Sequence, residues 1–359
     1  MRAFTYETHA ARVVFGTGCA ERALAEELGR LGARRALIVT TPRTAPLVAE
    51  LAAPLSVAAV FDGVRPHVPV DTVDRAVALA TRAGADALLS VGGGSTTGTA
   101  KAIALRTSLP IVAVPTTYAG SEVTSVWGTT EGARKTTGRS PLVVPRTVLY
   151  DPALTTTLPA AMTAASAMNA MAHCVEAFYA PGANPVTDLV AAEGVRVIAG
   201  ALPAVMADPA GEAGRTGLLY GAYLAGSAFA AAGSGLHHQI CHVLGGAFGL
   251  PHAETHTVLL PHVAAFNEPA VPALRARLAP ALGATDVAGG LTRLAARIGA
   301  PVSLAQIGLT EDDLDTAVGL VLEKDLGGNP RPVGEAEVRG ILTGAVHGHL
   351  PASTRRESV

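Results

Sequence analysis

The sequence predicts an α/β domain built on a parallel sheet, followed by an all-α domain. Three observations carry this expectation. Continuous apolar runs alternate with amphipathic helical patterns through the first 150 residues, as a sheet covered on both faces requires. After "VLYDPALTTTLP" (148 to 159) strand runs stop, and Ala-rich segments punctuated by Gly and Pro continue to the end. A chain of 359 residues is also long enough for two domains that each bury a core. We therefore expect domains at 1–159 and 160–359.

The elements follow in chain order. "AFTYETHAARVVFG" (3 to 16) alternates like strands and lacks the apolar core of a signal peptide. "AERALAEELGRLG" (20 to 32) reads as a helix and "RALIVTT" (35 to 41) as a buried strand. A second helix is expected over 70 to 84, and further strands at "ADALLSVGGGS" (85 to 95) and "LPIVAVPTT" (109 to 117). The tail from 351 to 359 is expected to fray.

Composition removes several classes of function. Charged residues are 16% of the chain and the net charge is −2, so no electrostatic footprint points to nucleic acid or an anionic membrane. Hydrophobic residues reach 49% but aromatics only 4%, which predicts close packing through Ala, Gly, Val and Leu. The cysteines Cys19, Cys174 and Cys241 are odd in number and far apart, as in a reducing compartment. The most apolar stretch we single out, 218 to 233, is short and rich in small residues for a membrane span. A soluble, cytoplasmic protein acting on a small molecule is expected.

"SVGGGSTTGTAKAIA" (90 to 104) is a strand, three glycines, a hydroxyl cluster and a helix. Glycines let backbone approach a pyrophosphate, and a helix N-terminus offers N–H groups and positive dipole. A plain tight turn would look the same, but "VPTTYAGSEVT" (114 to 124) supplies a second loop at a strand end. Two such loops make a nucleotide crevice. The G-x-G-x-x-G fingerprint is absent after the first strand. The other dense signal is histidine. "SGLHHQICHVLGGAFGLPHAETH" (234 to 256) holds five of the eleven histidines, and His173 lies four residues after Asn169. Asn169 and His173 share a helix face, as do His238 and His242.

These motifs, with "PTTYAGSE" and "NPRP" (329 to 332), resemble the iron-containing alcohol dehydrogenase superfamily over nearly the whole chain. Within it, "TTYAGSE", "MNAMAH" and "LPHAETH" are most similar to the maleylacetate reductases. The resemblance implies a dehydroquinate synthase-like fold: an N-terminal dinucleotide-binding domain, a helical C-terminal domain, and the active site in a cleft. It further implies NADH or NADPH as cofactor, a dicarboxylate substrate (maleylacetate, reduced to 3-oxoadipate in aromatic catabolism) and a homodimer. Candidate cofactor contacts are Gly92, Gly93, Gly94, Ser95, Thr41, Thr116, Thr117, Ser121 and Lys135. Alcohol dehydrogenases commonly carry an Asp at the end of the first strand that repels a 2′-phosphate; here Thr41 stands there and Arg43 follows, so NADPH should be accepted. Gly98 likewise stands where many relatives have Asp.

In metal-dependent relatives, the positions matching 169, 173, 238 and 252 supply Asp and three His to one divalent ion. Here the acid is Asn169, which offers a dipole in place of a charge. We therefore expect a converted site that requires no metal, with His173, His238, His242 and His252 binding the substrate and stabilising an enolate. Asn169, Arg331 and Tyr118 are expected at the substrate, although Arg331 could equally cap its own loop. His237, His256 and His262 are expected to be structural, with His9, His67, His347 and His349, and Cys174 and Cys241 to face away from the site. The rival readings are a metal-dependent alcohol or aldehyde dehydrogenase, a reductase of a related unsaturated oxo-acid, a lyase resembling dehydroquinate synthase, and a non-catalytic cofactor-binding protein.

Overall fold

The computed structural model describes residues 4–8, 11–132 and 134–350. The 351–359 tail and His9 lie outside these. The chain packs as two compact units. One comprises Glu7–Pro159 and Asp208–Ala230, and the other Ala160–Ala207 with the chain from Ala231 onward.

The first unit carries β1 (Arg12–Phe15), α1 (Cys19–Arg30), β2 (Ala36–Val39), α2 (Ala45–Ala52), β3 (Val57–Phe61) and α3 (Val70–Ala83). Next come β4 (Ala87–Gly92), α4 (Gly94–Thr107), β5 (Ile111–Pro115), an antiparallel hairpin β6 (Val126–Glu131) and β7 (Arg134–Arg139), and β8 (Thr147–Tyr150). Six strands form a parallel sheet in the order β1-β8-β5-β4-β2-β3. Alternation along β2 shows why its sequence is continuously apolar. Ala36 and Ile38 pack with α1 and α2 on one face, and Leu37 and Val39 with α3 and α4 on the other. The strands expected at 35–41, 85–95 and 109–117 are thus β2, β4 and β5, the centre of the sheet. The hairpin was not foreseen, because its residues are mostly polar or half-exposed and show no buried run.

Asp151, just after β8, accepts from the backbone N–H groups of Gly18 and Ala20. It caps α1, whose own N-cap Gly18 has no side chain to do so.

The remaining helices are α5 (Ala160–Glu176), α6 (Pro185–Ala207), α7 (Glu212–Ala232), α8 (Leu236–Phe248), α9 (His252–Asn267), α10 (Pro272–Ala281), α11 (Val287–Arg297), α12 (Leu314–Leu322) and α13 (Glu335–His347). The core of the second unit joins Leu244 of α8, Leu259 and Val263 of α9, Val318 and Val321 of α12, and Leu342 of α13. By length and composition α6 could cross a membrane, with mean hydropathy 1.6 over its most apolar window. It packs against α5 and α10, and carries an exposed Glu193–Arg196 ion pair.

Most of α7 belongs to the sheet unit, not to the helical segment in which the sequence places it. Two contacts explain this. Gly226 meets Gly120 backbone to backbone; a Cβ on Gly226 would lie 2.5 Å from the Gly120 carbonyl oxygen. Arg215 is fully buried and donates to the carbonyls of Pro209 (2.8 Å) and Leu158 (3.3 Å) and to the Tyr118 hydroxyl (3.0 Å). Replacing Arg215 by Met strips these acceptors in a dry interior. Arg215→Met should cost about 3 kcal/mol, and Arg215→Lys should recover only part, because a point charge cannot span the fork. Urea denaturation measures both; a loss within experimental error for Arg215→Met would contradict the assignment.

Candidate active site

In the sheet unit, the chain reverses its direction of strand addition between β2 and β4, since β3 lies beyond β2 on one side and β5 beyond β4 on the other. Ligands of open parallel sheets bind at the carboxyl ends of strands flanking such a point. Thr40 and Thr41 follow β2 there, Gly92 ends β4, and Thr116 and Thr117 follow β5. Gly92 has φ +152°, and α4 starts at once with no side-chain cap. Gly93, Gly94 and Ser95 are part-exposed at this N-terminus. A Cβ on Gly93 would lie 2.8 Å from Thr117 Cγ2, so the loop tolerates no side chain there. Bare N–H groups, an uncapped dipole and backbone-only approach fit a pyrophosphate.

The loop after β5 is held from below by a residue the sequence reading passed over. Lys101 of α4 is fully buried and its Nζ donates to the carbonyls of Ser121 (2.6 Å), Thr124 (2.7 Å) and Val126 (3.0 Å). Burial draws its pKa down to about 7 against the opposing pull of Glu122. Tyr118, expected at the substrate, is wholly buried against Arg215 and serves the packing of this loop. Thr41 is half-buried, its Oγ1 3.0 Å from Thr44 Oγ1, while the exposed Arg43 donates to the Thr157 carbonyl at 3.4 Å. Lys135 lies on β7 opposite Thr130. Gly98 faces Val68, whose Cγ2 would lie 3.0 Å from any Cβ added there.

The helical unit gathers the histidines. One face of α5 presents Asn169, His173 and Glu176 at i, i+4 and i+7. His173 stacks on His238 (centroids 5.2 Å apart), His238 meets His256 at 4.6 Å and His256 meets His252 at 4.4 Å. His242 and His252, both exposed, stack at 6.1 Å. All four expected catalytic histidines therefore join one layer. Two residues set aside as structural join it too. His256 sits between His238 and His252, and its Nδ1 lies 2.9 Å from His237 Nε2. Cys241, expected to face away, reaches His237 Nε2 at 3.7 Å. Cys174 is fully buried, and burial pushes its thiol pKa up. His262 is also buried, against Gly344 of α13. Arg331 is not an open clamp: it lies 4.2 Å over the Phe266 ring and donates to the Phe266 carbonyl at 2.5 Å, capping its loop. Asn329 fixes the same loop through paired amide bonds with Asn267.

Glu176 is the residue that sequence reading missed, though its place on the Asn169–His173 face was legible. Its carboxylate accepts from His238 Nδ1 and from the His238 backbone N–H (3.3 Å). Burial alone would raise its pKa, but the charge and hydrogen bonds of His238, with His237, carry it below the ordinary carboxylate value.

The positions matched to metal ligands, Asn169, His173, His238 and His252, lie in this histidine layer. Asn169 brings a buried neutral amide oxygen, and His238 turns Nδ1 to Glu176, so a metal or substrate would meet its Nε2. Among the described residues, the ligand atoms that fall within 4.8 Å of one another are those of His237, Cys241 and His256, and two of these already hydrogen-bond each other. Asn169 in place of an acid removes one formal negative charge from the donors a divalent ion would meet, which lowers affinity for it.

Fold and site together define an iron-containing alcohol dehydrogenase family member. The chain belongs to that family, matching its iron-containing alcohol dehydrogenase model over 10–152 and its C-terminal model over 163–346. In particular it is similar to the maleylacetate reductase of Sphingobium indicum, with 47% identity over 97% of this chain and 99% of that one. Maleylacetate reductase 1 of Cupriavidus pinatubonensis is 44% identical over 98% of this chain and 99% of its own length. The crystal structure of maleylacetate reductase from Agrobacterium tumefaciens superposes with a TM-score of 0.94 at 45% identity, covering 98% of this chain and all of that one (100%). The family is one of oxidoreductases, which sets aside the non-catalytic reading.

The buried histidines carry a consequence for stability. Burial, with repulsion from neighbouring imidazoles, holds His173 and His256 well below the ordinary 6.5, and burial holds His237 to about 3 and His262 to about 4. Each stays neutral when folded and protonates near 6.5 when unfolded, so acid favours the unfolded chain. Their stabilising balance is intact above about pH 6.5 and is lost as pH falls from there toward 4. The loss is about 1.4 kcal/mol per pH unit for each group. Urea midpoints should fall steadily from about pH 7 to pH 5; an unchanged midpoint would contradict the neutral layer.

Proposed function

We propose that this protein reduces the conjugated carbon–carbon double bond of maleylacetate to give 3-oxoadipate, in the cytoplasm, with NADH or NADPH and without a resident metal. The observation that carries the reading is Asn169 within an intact histidine layer, in a chain similar end to end to maleylacetate reductases. An unconjugated carbonyl needs a Lewis acid or a strong proton donor to take the charge that develops on its single oxygen. An alkene conjugated to a ketone does not, because hydride addition at the carbon β to the ketone leaves a delocalised enolate that hydrogen bonds can hold.

When bound at the strand ends, the reduced nicotinamide supplies the hydride. The remaining work falls to the histidines. His242 and His252, the exposed pair, offer donors to a carboxylate. His238, with Nδ1 held by Glu176, meets the substrate through Nε2. The α-carbon then takes a proton from the imidazole layer or from water beside it, completing addition of one hydride and one proton. An acid at 169 would repel a dianionic substrate, which favours the amide.

The decisive assay follows NADH and NADPH oxidation with maleylacetate, with and without EDTA. Turnover unaffected by chelator is expected, and His242→Ala and His252→Ala should each lower it by about 10² or more. Turnover abolished by EDTA and restored by iron or zinc would favour the metal-dependent alcohol dehydrogenase reading.

Cofactor choice has its own test. With Thr41 in place of an acid, efficiency with NADPH should lie within about tenfold of NADH, a gap of roughly 1.4 kcal/mol. Thr41→Asp should move preference toward NADH. A wild-type preference for NADH of about a thousandfold would mean that another group excludes the 2′-phosphate.

A further inference from the structure

The N-terminus of α8 is built without a cap of its own. Gly235, its N-cap, has no side chain to accept from the first turn. Such N–H groups need an acceptor when buried. Here the acceptor comes from another helix: Oε1 of Glu176, the last residue of α5, takes the backbone N–H of His238 at 3.3 Å. The glycine eases this approach, since a Cβ at 235 would lie 3.2 Å from Oε1, a tight contact. The second oxygen, Oε2, takes the ring Nδ1 of the same residue. Both groups are buried, Glu176 completely and His238 to 4% exposure. One carboxylate thus fixes the backbone and the ring of one histidine, so neither χ1 nor the ring plane of His238 can turn without breaking a buried bond.

A carboxylate accepts only, so Nδ1 carries a proton in this bond, and Nε2 is the ring nitrogen that Glu176 does not hold. We propose that Glu176 is the positioning residue of this site: it locks His238 in the Nδ1–H form and aims Nε2 at the substrate. This rests on the assignment of His238 to the substrate made above, but the lock itself does not depend on which substrate binds. Without Glu176 the ring could place its proton on either nitrogen and rotate about χ2, and the first turn of α8 would lose its acceptor. A purely structural cap would show only the last of these effects.

Nitrogen-15 NMR of the imidazoles tests the lock directly, with the His238 signals identified by their loss in His238→Gln. The wild-type protein near pH 8 should show His238 protonated on Nδ1 and bare on Nε2; the opposite form would overturn the proposal even if no variant folds. In Glu176→Gln the two forms should mix, and turnover of maleylacetate should fall about tenfold or more. Glu176→Asp, which keeps the charge but withdraws it, should recover part of the turnover and of the tautomer preference. A folded Glu176→Gln with the wild-type tautomer, or with a mixed tautomer and turnover within about twofold of wild type, would overturn the positioning role. Should the wild-type protein not turn over maleylacetate, the substrate reading fails alone, because the tautomer measurement contains no substrate.

Discussion

A sheet buried on both faces leaves chemistry few places to occur. The apolar side chains of β2, β4 and β5 are spent on packing against helices, which leaves strand ends and helix starts for polar function. The uncapped start of α4 beside the ends of β2, β4 and β5 is the result. Three polar residues that do penetrate the interior are held largely by backbone groups. Lys101 holds the β5 loop, Asp151 caps α1 from the end of the neighbouring strand β8, and Arg215 secures α7. Each spans elements distant in sequence, doing with one long side chain what a local cap would do for a single helix.

The helical unit meets a related constraint in a different way. Six histidines in contact cannot all carry charge in a dry layer, and burial with mutual repulsion keeps the inner ones neutral. Its carboxylate, Glu176, is tolerated because a helix N-terminus and His238 Nδ1 both face it. The amide at 169 adds a dipole and no further charge to this layer.

Much of this was legible in sequence. The strand runs, the glycine turn and the histidine spacing each obey a local period, and β2, β4, α4, α5 and α8 follow from them. What escaped depended on contacts between distant segments. The β6–β7 hairpin is held by cross-strand pairing of mostly polar residues, which leaves no apolar alternation to read. His256 looked incidental because nothing local places it between His238 and His252; only the packing of α9 on α8 does so. Tyr118 and Arg331 carried groups suited to a ligand, but a buried arginine and a phenylalanine ring claimed them first. Lys101 was hidden by its type, since a lysine in a helix usually reaches solvent.

The return of α7 to the sheet unit means that neither unit is a continuous stretch of chain. The polypeptide leaves the sheet unit after 159, re-enters at 208 and leaves again after 230. During synthesis, Arg215 and Gly226 emerge long after β8, so the carbonyl of Leu158 and the loop carrying Tyr118 and Gly120 wait for partners that α5 and α6 precede. The sheet unit therefore closes only once part of the helical unit has already been made. A fragment cut at 159 would keep every strand of the described residues yet lack the helix that packs on the loop after β5.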